Sequence, residues 1–440
     1  MSTAIIHPYQ GVLKGVIPCP RDKSLSHRAV MIGALSQGTT IITGFSFCQD
    51  CLATVRCMQA LGASIQTFPE KGEVIVESEG LFALREPDDV LNAENSGTTI
   101  RMLAGITAGI EGLTIITGDQ SLRRRPMRRV IEPLRQTGAT LGGRAGDSFP
   151  PLFIKGIPRT KSFQHTLKVP SAQVKSALIF AALKGDGPSF IEEPVASRDH
   201  TENMLRYVGA SIRKDHTTII VEPCLKLQAK AFSLPGDVSS AAFLVALATL
   251  LPGSSITIED VGINPQRTGF LRCLATMGGK WQFFNQREEF GEPRGDLKVE
   301  AARLQGIEIT RDSIPSLIDE IPILAVLASQ AEGKTIISGA EELRVKESDR
   351  LRAIAQGLQS LGAQVEEKDD GLIIEGPTPL RGGRIQSFGD HRIAMSFAIA
   401  GFVAQKDVVI EDVDCISISY PHFFQDLATL GCDSFRLQNA

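Results

Sequence analysis

At 440 residues, 42% of them apolar and 22% charged, the chain is too long for one ordinary hydrophobic core and has the balance of a globular protein of two or three domains. A formal net charge of −4 argues against nucleic acid or an anionic membrane as the main partner, so any anion site has to be a local basic cluster. The opening MSTAIIHPYQG lacks the basic and apolar regions of a signal peptide, and apolar runs such as 241–251 and 393–404 fall short of the ~20 residues that span a bilayer, so a cytoplasmic protein is expected.

The first predicted strand covers 4–17, and prolines at 18 and 20 break it before a helix that opens on Asp22-Lys23-Ser24. That helix, DKSLSHRAVMIGAL, gives way to the extended phrase GTTIITG at 38–44. A second helix ends on MQALGASI, whose Gly62 suits a left-handed cap, and EVIVES returns as a hairpin strand. The same phrases recur down the chain. Polar-start helices open at NSGTTIRMLAGITAG, SAQVKSALIFAAL, DVSSAAFLVALATL, DEIPILAVLASQ and DHRIAMSFAIAGFVA. Extended phrases follow them at GLTIITG, GPSFIEE, GSSITIE, GKTIISG and DVVIED. Helix ends then come at Gly138, Gly209, Gly278, Gly362 and Gly431, with spacings of 69 to 84 positions, and all but the last lead into a second hairpin strand. Six near-regular copies make a repeat. The sixth copy ends before its hairpin closes, and the N-terminal strand is expected to complete it, which makes the architecture circular.

Three units per half is the natural grouping. The turn Ser233-Leu234-Pro235-Gly236-Asp237 separates the third unit from the fourth, and a second crossing is expected near 17–21. The expected domains are therefore 20–234, and 1–19 with 235–440. After their first turn the polar-start helices are apolar nearly all round, so they belong in domain cores. A helix N-terminus offers free N–H groups and about half a positive charge. Any one Ser, Asp or Asn there serves well as an N-cap, but six polar starts on buried helices read as anion sites.

Several of those starts carry more than a cap. Lys23, Ser24 and Arg28 make a phosphate grip of point charge, hydroxyl and planar fork, with His27 as a structural hydrogen-bonding residue. Gly97, among Asn95, Ser96, Thr98 and Thr99, lets a ligand approach the backbone, and 123–129 is a dense basic run around Arg125. Ser171, Gln173 and Lys175 open the third helix, and Ser197-Arg198-Asp199-His200 lies in the next loop. The later half supplies carboxylates: Asp319-Glu320 opens one helix, Lys346-Glu347-Ser348-Asp349-Arg350 lies where another begins, and Asp390-His391-Arg392 opens the last. Glu347 and Arg350 are three apart and can share a helix face. The eight cysteines are scattered; Cys48 and Cys51 form a lone CxxC without a second ligand pair, so reduced, partly buried thiols and no metal are expected.

Together, DKSLSHR, NSGTTIR, TGDQSLRRRPM, SAQVKSA, LIDEIP, LRVKESDRL and FGDHRIAMSF resemble, in order and over essentially the whole chain, the 3-phosphoshikimate 1-carboxyvinyltransferase (enolpyruvylshikimate-phosphate synthase) family. The resemblance implies an α/β, two-domain enolpyruvyl transferase fold, each domain built of three βαβαββ units with buried helices as an inside-out barrel. It implies transfer of the enolpyruvyl group of phosphoenolpyruvate to the 5-hydroxyl of shikimate 3-phosphate, with release of phosphate, by a monomer that uses no metal and no organic cofactor. Carried over by motif, Lys23, Ser24, Arg28, Ser171, Ala172, Gln173, Ser197, Arg198, Asp319 and Lys346 would hold shikimate 3-phosphate. Lys23, Gly97, Arg125, Gln173, Arg350 and Arg392 would hold phosphoenolpyruvate. Asp319 would take the 5-hydroxyl proton and Glu347 would protonate the methylene of phosphoenolpyruvate, with Lys23 between the substrates.

Some positions depart from the enteric and plant branch of the family. Met102 stands for a proline, Ala172 for a serine, and Ile418 for a lysine that helps bind phosphoenolpyruvate. Gly97, alanine in some glyphosate-tolerant relatives, leaves room for glyphosate, which is expected to compete with phosphoenolpyruvate. Two rival readings stand beside this one. A UDP-N-acetylglucosamine enolpyruvyl transferase typically has a cysteine just before the Arg-Pro pair, and none lies between Gly118 and Pro126. A non-catalytic phospho-ligand sensor has no use for a proton donor such as Glu347.

Overall fold

The computed structural model of the chain describes residues 2–438. Its repeating element is a four-stranded sheet, and six of these occur among the described residues. In one, Leu91–Asn92 runs parallel to Gly112–Thr117, which pairs antiparallel with Phe149–Gly156, itself paired with Thr140–Gly143. Period-2 alternation decides which face turns inward. Thr114 lies opposite Ile154 and Ile116 opposite Leu152, and all four are buried. The other sheets repeat this order: an edge strand, the strand after the core helix, then two more strands, the outermost of which follows the left-handed glycine.

Those glycines behave as the repeat predicts. Gly62, Gly138, Gly209, Gly278, Gly362 and Gly431 all have φ between 87° and 103°. At Gly62, the glycine N–H returns to Gln59 O and the next N–H to Met58 O, which satisfies the last carbonyls of the helix Gln49–Ala60.

The polar-start helices form the cores. They are Lys23–Leu35, Gly97–Ala108, Ala172–Ala182, Val238–Leu250, Ile321–Gln330 and His391–Phe402, and beyond the first turn their residues are almost all buried. Five of them are capped by a side chain that accepts a backbone N–H of the first turn: Asp22, Ser96, Ser171, Asp237 and Asp390. The fifth helix instead begins after a 3-10 turn at Ile318–Glu320. Gly105 lets the second and third core helices cross closely, because a Cβ there would collide with the Ala177 backbone.

The chain divides into two compact units. One comprises Arg21–Leu234 with the short stretch Glu288–Glu292, and holds three of the sheets around the first three core helices. Phe290 of that stretch stacks edge-on against Phe232 at 5.4 Å, inside this unit's own core. The other unit comprises the chain through Pro20, Pro235–Arg287 and the chain from Pro293 onward, with the remaining three sheets and core helices.

The N-terminal segment differs from the single strand expected over 4–17. It makes two strands in different sheets. Thr3–Ile6 lies between Val408–Glu411 and Phe435–Gln438 and completes the sixth sheet. Lys14–Pro18 runs parallel to Ser255–Gly262 as the edge of the fourth. The intervening Gly11 and Pro8 interrupt the extended run. In the same way, Phe232–Ser233 supplies the parallel edge strand of the first sheet, beside Gln37–Thr43.

Candidate functional site

Three helix starts in the Arg21–Leu234 unit are tied into a ring of hydrogen bonds. The first and second are joined through His27 Nδ1, which lies 2.6 Å from Thr54 Oγ1, and through Thr54 Oγ1, 2.7 Å from Thr99 Oγ1. The second and third are joined by Gln173, whose Nε2 donates to Thr98 Oγ1 at 2.9 Å and whose Oε1 accepts from Arg101 Nη1 at 2.6 Å. The third and first are joined by Arg28, which donates to Ser176 Oγ at 3.2 Å and to Thr201 Oγ1 at 2.7 Å. Burial, with Lys23 and Arg28 adding to it, holds His27 well below the usual imidazole value, so it stays neutral and structural.

Lys23 opens this ring. Its Nζ lies 3.0 Å from Asp50 Oδ2, and the side chain keeps 17% of its surface exposed. The other Asp50 oxygen is buried with no hydrogen-bond donor among the described residues. Arg28 does not share that mouth. It is buried beneath it, with Nη1 on Ser24 O at 2.9 Å, and burial first, then Arg198, brings its pKa down to about 10 against Glu202, Asp22 and Glu292.

Gly97 lies where two guanidinium groups converge. A Cβ on it would stand 2.9 Å from Arg101 Nη1 and 3.2 Å from Arg125 Nη1. Arg125 is buried and aimed by Asn95 Oδ1 at 2.6 Å and Ser121 Oγ at 3.3 Å; Asn95 in turn donates to Asp119 at 2.6 Å. Two oriented forks over the N-terminus of a helix are suited to a carboxylate or phosphate. Ser171 caps its helix through Val174 N, and Ala172 is the first helical residue. Ser197 faces inward, and Arg198 follows it half-buried.

The second unit gathers carboxylates around one cation. Arg350, 1% exposed, places Nε 2.8 Å from Asp390 Oδ2, Nη2 2.6 Å from Glu347 Oε2, and Nη1 3.4 Å from Asp319 Oδ1. Burial alone pulls a guanidinium pKa down, but Asp390, Glu347 and Asp319 outweigh it and hold Arg350 above its usual value. Lys346 Nζ adds a second cation 3.3 Å from Asp319. Arg392 Nη1 donates to the Asp319 carbonyl at 3.0 Å, and Glu320, hydrogen-bonded by Ser239, stands 3.8 Å from it. Asp319 and Glu347 each keep 17% of the side chain exposed, so both carboxylates touch solvent on one side and Arg350 on the other.

One geometric expectation changes here. Glu347 and Arg350 do pair, but not on a shared helix face. The helix starts at Arg350 behind its cap Asp349, and Glu347 reaches it from the preceding turn. Asp50, Arg101 and the support given by Asp390 and Glu320 escaped the sequence reading of site residues. Arg101 follows Gly97 by one helical turn, a spacing that could have revealed it. Asp50 sits in an ordinary helix start, and nothing local ties it to Lys23. Cys48 and Cys51 are both buried thiols, Cys48 at the cap of Gln49–Ala60.

Comparisons with known proteins bear on both units. A family model described as EPSP synthase (3-phosphoshikimate 1-carboxyvinyltransferase) matches residues 9–427. The 3-phosphoshikimate 1-carboxyvinyltransferase of Desulforamulus reducens is 48% identical over 419 residues, covering 95% of this chain and 97% of its own. That of a Synechococcus strain is 49% identical over 430 residues, covering 97% and 96%. The solved structure of EPSP synthase from Acinetobacter baumannii superposes with a TM-score of 0.89 at 38% identity, covering all of both chains. The enolpyruvyl transferase NikO from Streptomyces tendae, at 17% identity and a TM-score of 0.79 over 100% and 99% of the chains, shares the fold.

Proposed function

The chain belongs to the EPSP synthase family, and from that premise we propose how its own residues divide the work of the reaction. The reaction transfers the enolpyruvyl group of phosphoenolpyruvate to the 5-hydroxyl of shikimate 3-phosphate and releases phosphate, a step of aromatic amino acid biosynthesis. Both substrates are polyanions, and their carboxylates and phosphates need donors that are already oriented.

In this reading Lys23, Ser24, Arg28, Ser171, Ala172, Gln173, Ser197 and Arg198 receive shikimate 3-phosphate, with Asp319 and Lys346 at its 5-hydroxyl. Lys23, Gly97, Arg125, Gln173, Arg350 and Arg392 receive phosphoenolpyruvate. Arg125 is supported in that role by its clamp on Asn95, and Gly97 by the absence of a Cβ between two guanidinium groups. Arg28 supports the shikimate 3-phosphate side through its positive charge and its hold on Ser24 O. Each charge-assisted hydrogen bond contributes roughly 1.5–3 kcal/mol.

Proton movement falls to the carboxylates. Glu347 gives a proton to the methylene carbon of phosphoenolpyruvate, which develops positive character at the neighbouring carbon. The 5-hydroxyl oxygen attacks that carbon as Asp319 takes its proton. Loss of phosphate then accompanies return of a proton from the newly formed methyl group to Glu347, which restores the C=CH2 bond, and the proton on Asp319 leaves with the phosphate. The observation that carries these roles is that Asp319 and Glu347 both bond one buried guanidinium, Arg350. A substrate carboxylate that binds Arg350 competes with them for its N–H groups. Substrate binding and readiness for proton transfer are thereby coupled.

The proposal extends to a cytoplasmic monomer whose partners are these small molecules. No helix among the described residues is long and apolar enough to cross a membrane. The test is phosphate release from phosphoenolpyruvate with shikimate 3-phosphate and UDP-N-acetylglucosamine offered in parallel. Release with the first acceptor alone, nearly lost in Asp319→Ala and Glu347→Ala, is the expected result. Release with neither, from folded protein, favours a phospho-ligand sensor.

A further inference from the structure

The most completely enclosed charges in the Arg21–Leu234 unit have no part in the roles assigned above. Lys175, on the third core helix, has a fully buried side chain, with Nζ 3.0 Å from Glu193 Oε1, 2.8 Å from Glu202 Oε1 and 3.2 Å from the Ser197 carbonyl oxygen. Glu193 follows the strand Ser189–Glu192, and its Oε1 accepts the Ser197 N–H at 2.9 Å and the Ser197 hydroxyl as well. Taking an ammonium and two carboxylates out of water is costly, and apolar side chains of similar volume often serve stability as well or better. The specific contacts distinguish this cluster from mere packing. Both the N–H and the C=O of Ser197 are held from the inside, so the orientation of that residue's backbone is set before any ligand arrives.

The rest of the loop is tied down to match. Residues 194–199 form neither helix nor strand. At their far end His200 Nδ1 stands 2.9 Å from Glu292 Oε1, and Glu202, on the same short helix, returns to Lys175. Thr201, between them, holds Arg28. An irregular loop that had to be ordered at each binding event would lose affinity to conformational entropy.

We propose that Glu193 and Lys175 are positioning residues that preset the Ser197-Arg198 loop for the phosphorylated acceptor. This rests on the reading that Ser197 and Arg198 hold shikimate 3-phosphate. The test is steady-state kinetics and thermal unfolding of the full chain. Glu193→Gln keeps the volume but removes the charge that orders Lys175 and Ser197. KM for shikimate 3-phosphate then rises about tenfold, while kcat and KM for phosphoenolpyruvate change little. Glu202→Gln, which shares the ammonium but does not touch Ser197, serves as the comparison: it lowers the unfolding midpoint without that rise in KM.

A lowered midpoint with unchanged KM in Glu193→Gln overturns the proposal, as does an equal loss of kcat/KM for both substrates. Arg198→Ala separates the two claims. If it leaves KM for shikimate 3-phosphate unchanged, the underlying reading fails and the proposal with it. If it raises that KM and Glu193→Gln does not, the positioning role alone is wrong. Should Glu193→Gln not fold, Glu193→Asp keeps the charge but withdraws it from Ser197, and carries the same expected rise and the same overturning result.

Discussion

At the scale of single residues, Gly97 and Asp390 show how tightly the proposed anion groups are set. Arg101 Nη1 is already committed to Gln173, so it cannot swing aside freely for an added methyl group. Gly97→Ala is expected to displace one guanidinium and raise KM for phosphoenolpyruvate about tenfold, with a smaller effect on shikimate 3-phosphate, as read by initial rates. Asp390 is fully buried, caps the last core helix through Arg392 N, and accepts two bonds from Arg350. Asp390→Asn keeps the cap but removes the charge, while Asp319 and Glu347 stay on the guanidinium. A destabilisation of about 3 kcal/mol, the lower end of the cost of breaking a buried pair, should appear in urea unfolding. Several of the residues proposed to hold ligand, Lys23, Ser24 and Gly97 among them, lie in short polar motifs at helix starts, which makes such positions visible in a sequence. Asp50 and Glu193 were not visible, since each acts through a partner distant in sequence or hidden in a core, and no local pattern reports such a pair.

At the scale of elements, the recurring glycine is the clearest signal in the chain, and its role is one of backbone conformation. Gly209 has φ near 101°, and no atom lies within 4 Å of where an alanine methyl would stand, so substitution there meets backbone strain without collisions. Gly209→Ala is therefore expected to destabilise by about 1 kcal/mol, measured as a shift in the urea midpoint with kcat unchanged. Helices and hairpins were readable from such caps and from period-2 alternation. The split of the N-terminal segment was less so, because Thr3–Ile6 and Lys14–Pro18 owe their separate fates to partners roughly 400 and 240 positions away.

At the scale of the whole molecule, the fold class was legible from the sixfold repeat, and the first strand turned out to complete the sixth sheet. Removing residues 1–10 takes an inner strand from that sheet. Such a chain is expected to lose phosphate release, and limited proteolysis should degrade Pro235 onward while sparing most of 21–234. Equal resistance of both regions would count against an obligatory strand.

That same strand bears on how the chain is made. Synthesis on the ribosome delivers 21–234 with every strand of its three sheets before the fourth core helix has emerged, so this unit can begin to fold early. Thr3–Ile6 is made roughly 400 positions before its neighbours Val408–Glu411 and Phe435–Gln438. Until those positions are made an apolar strand with two unpaired edges has to wait, and a nascent chain stalled shortly before 408 should be a better chaperone substrate than one stalled just after 234.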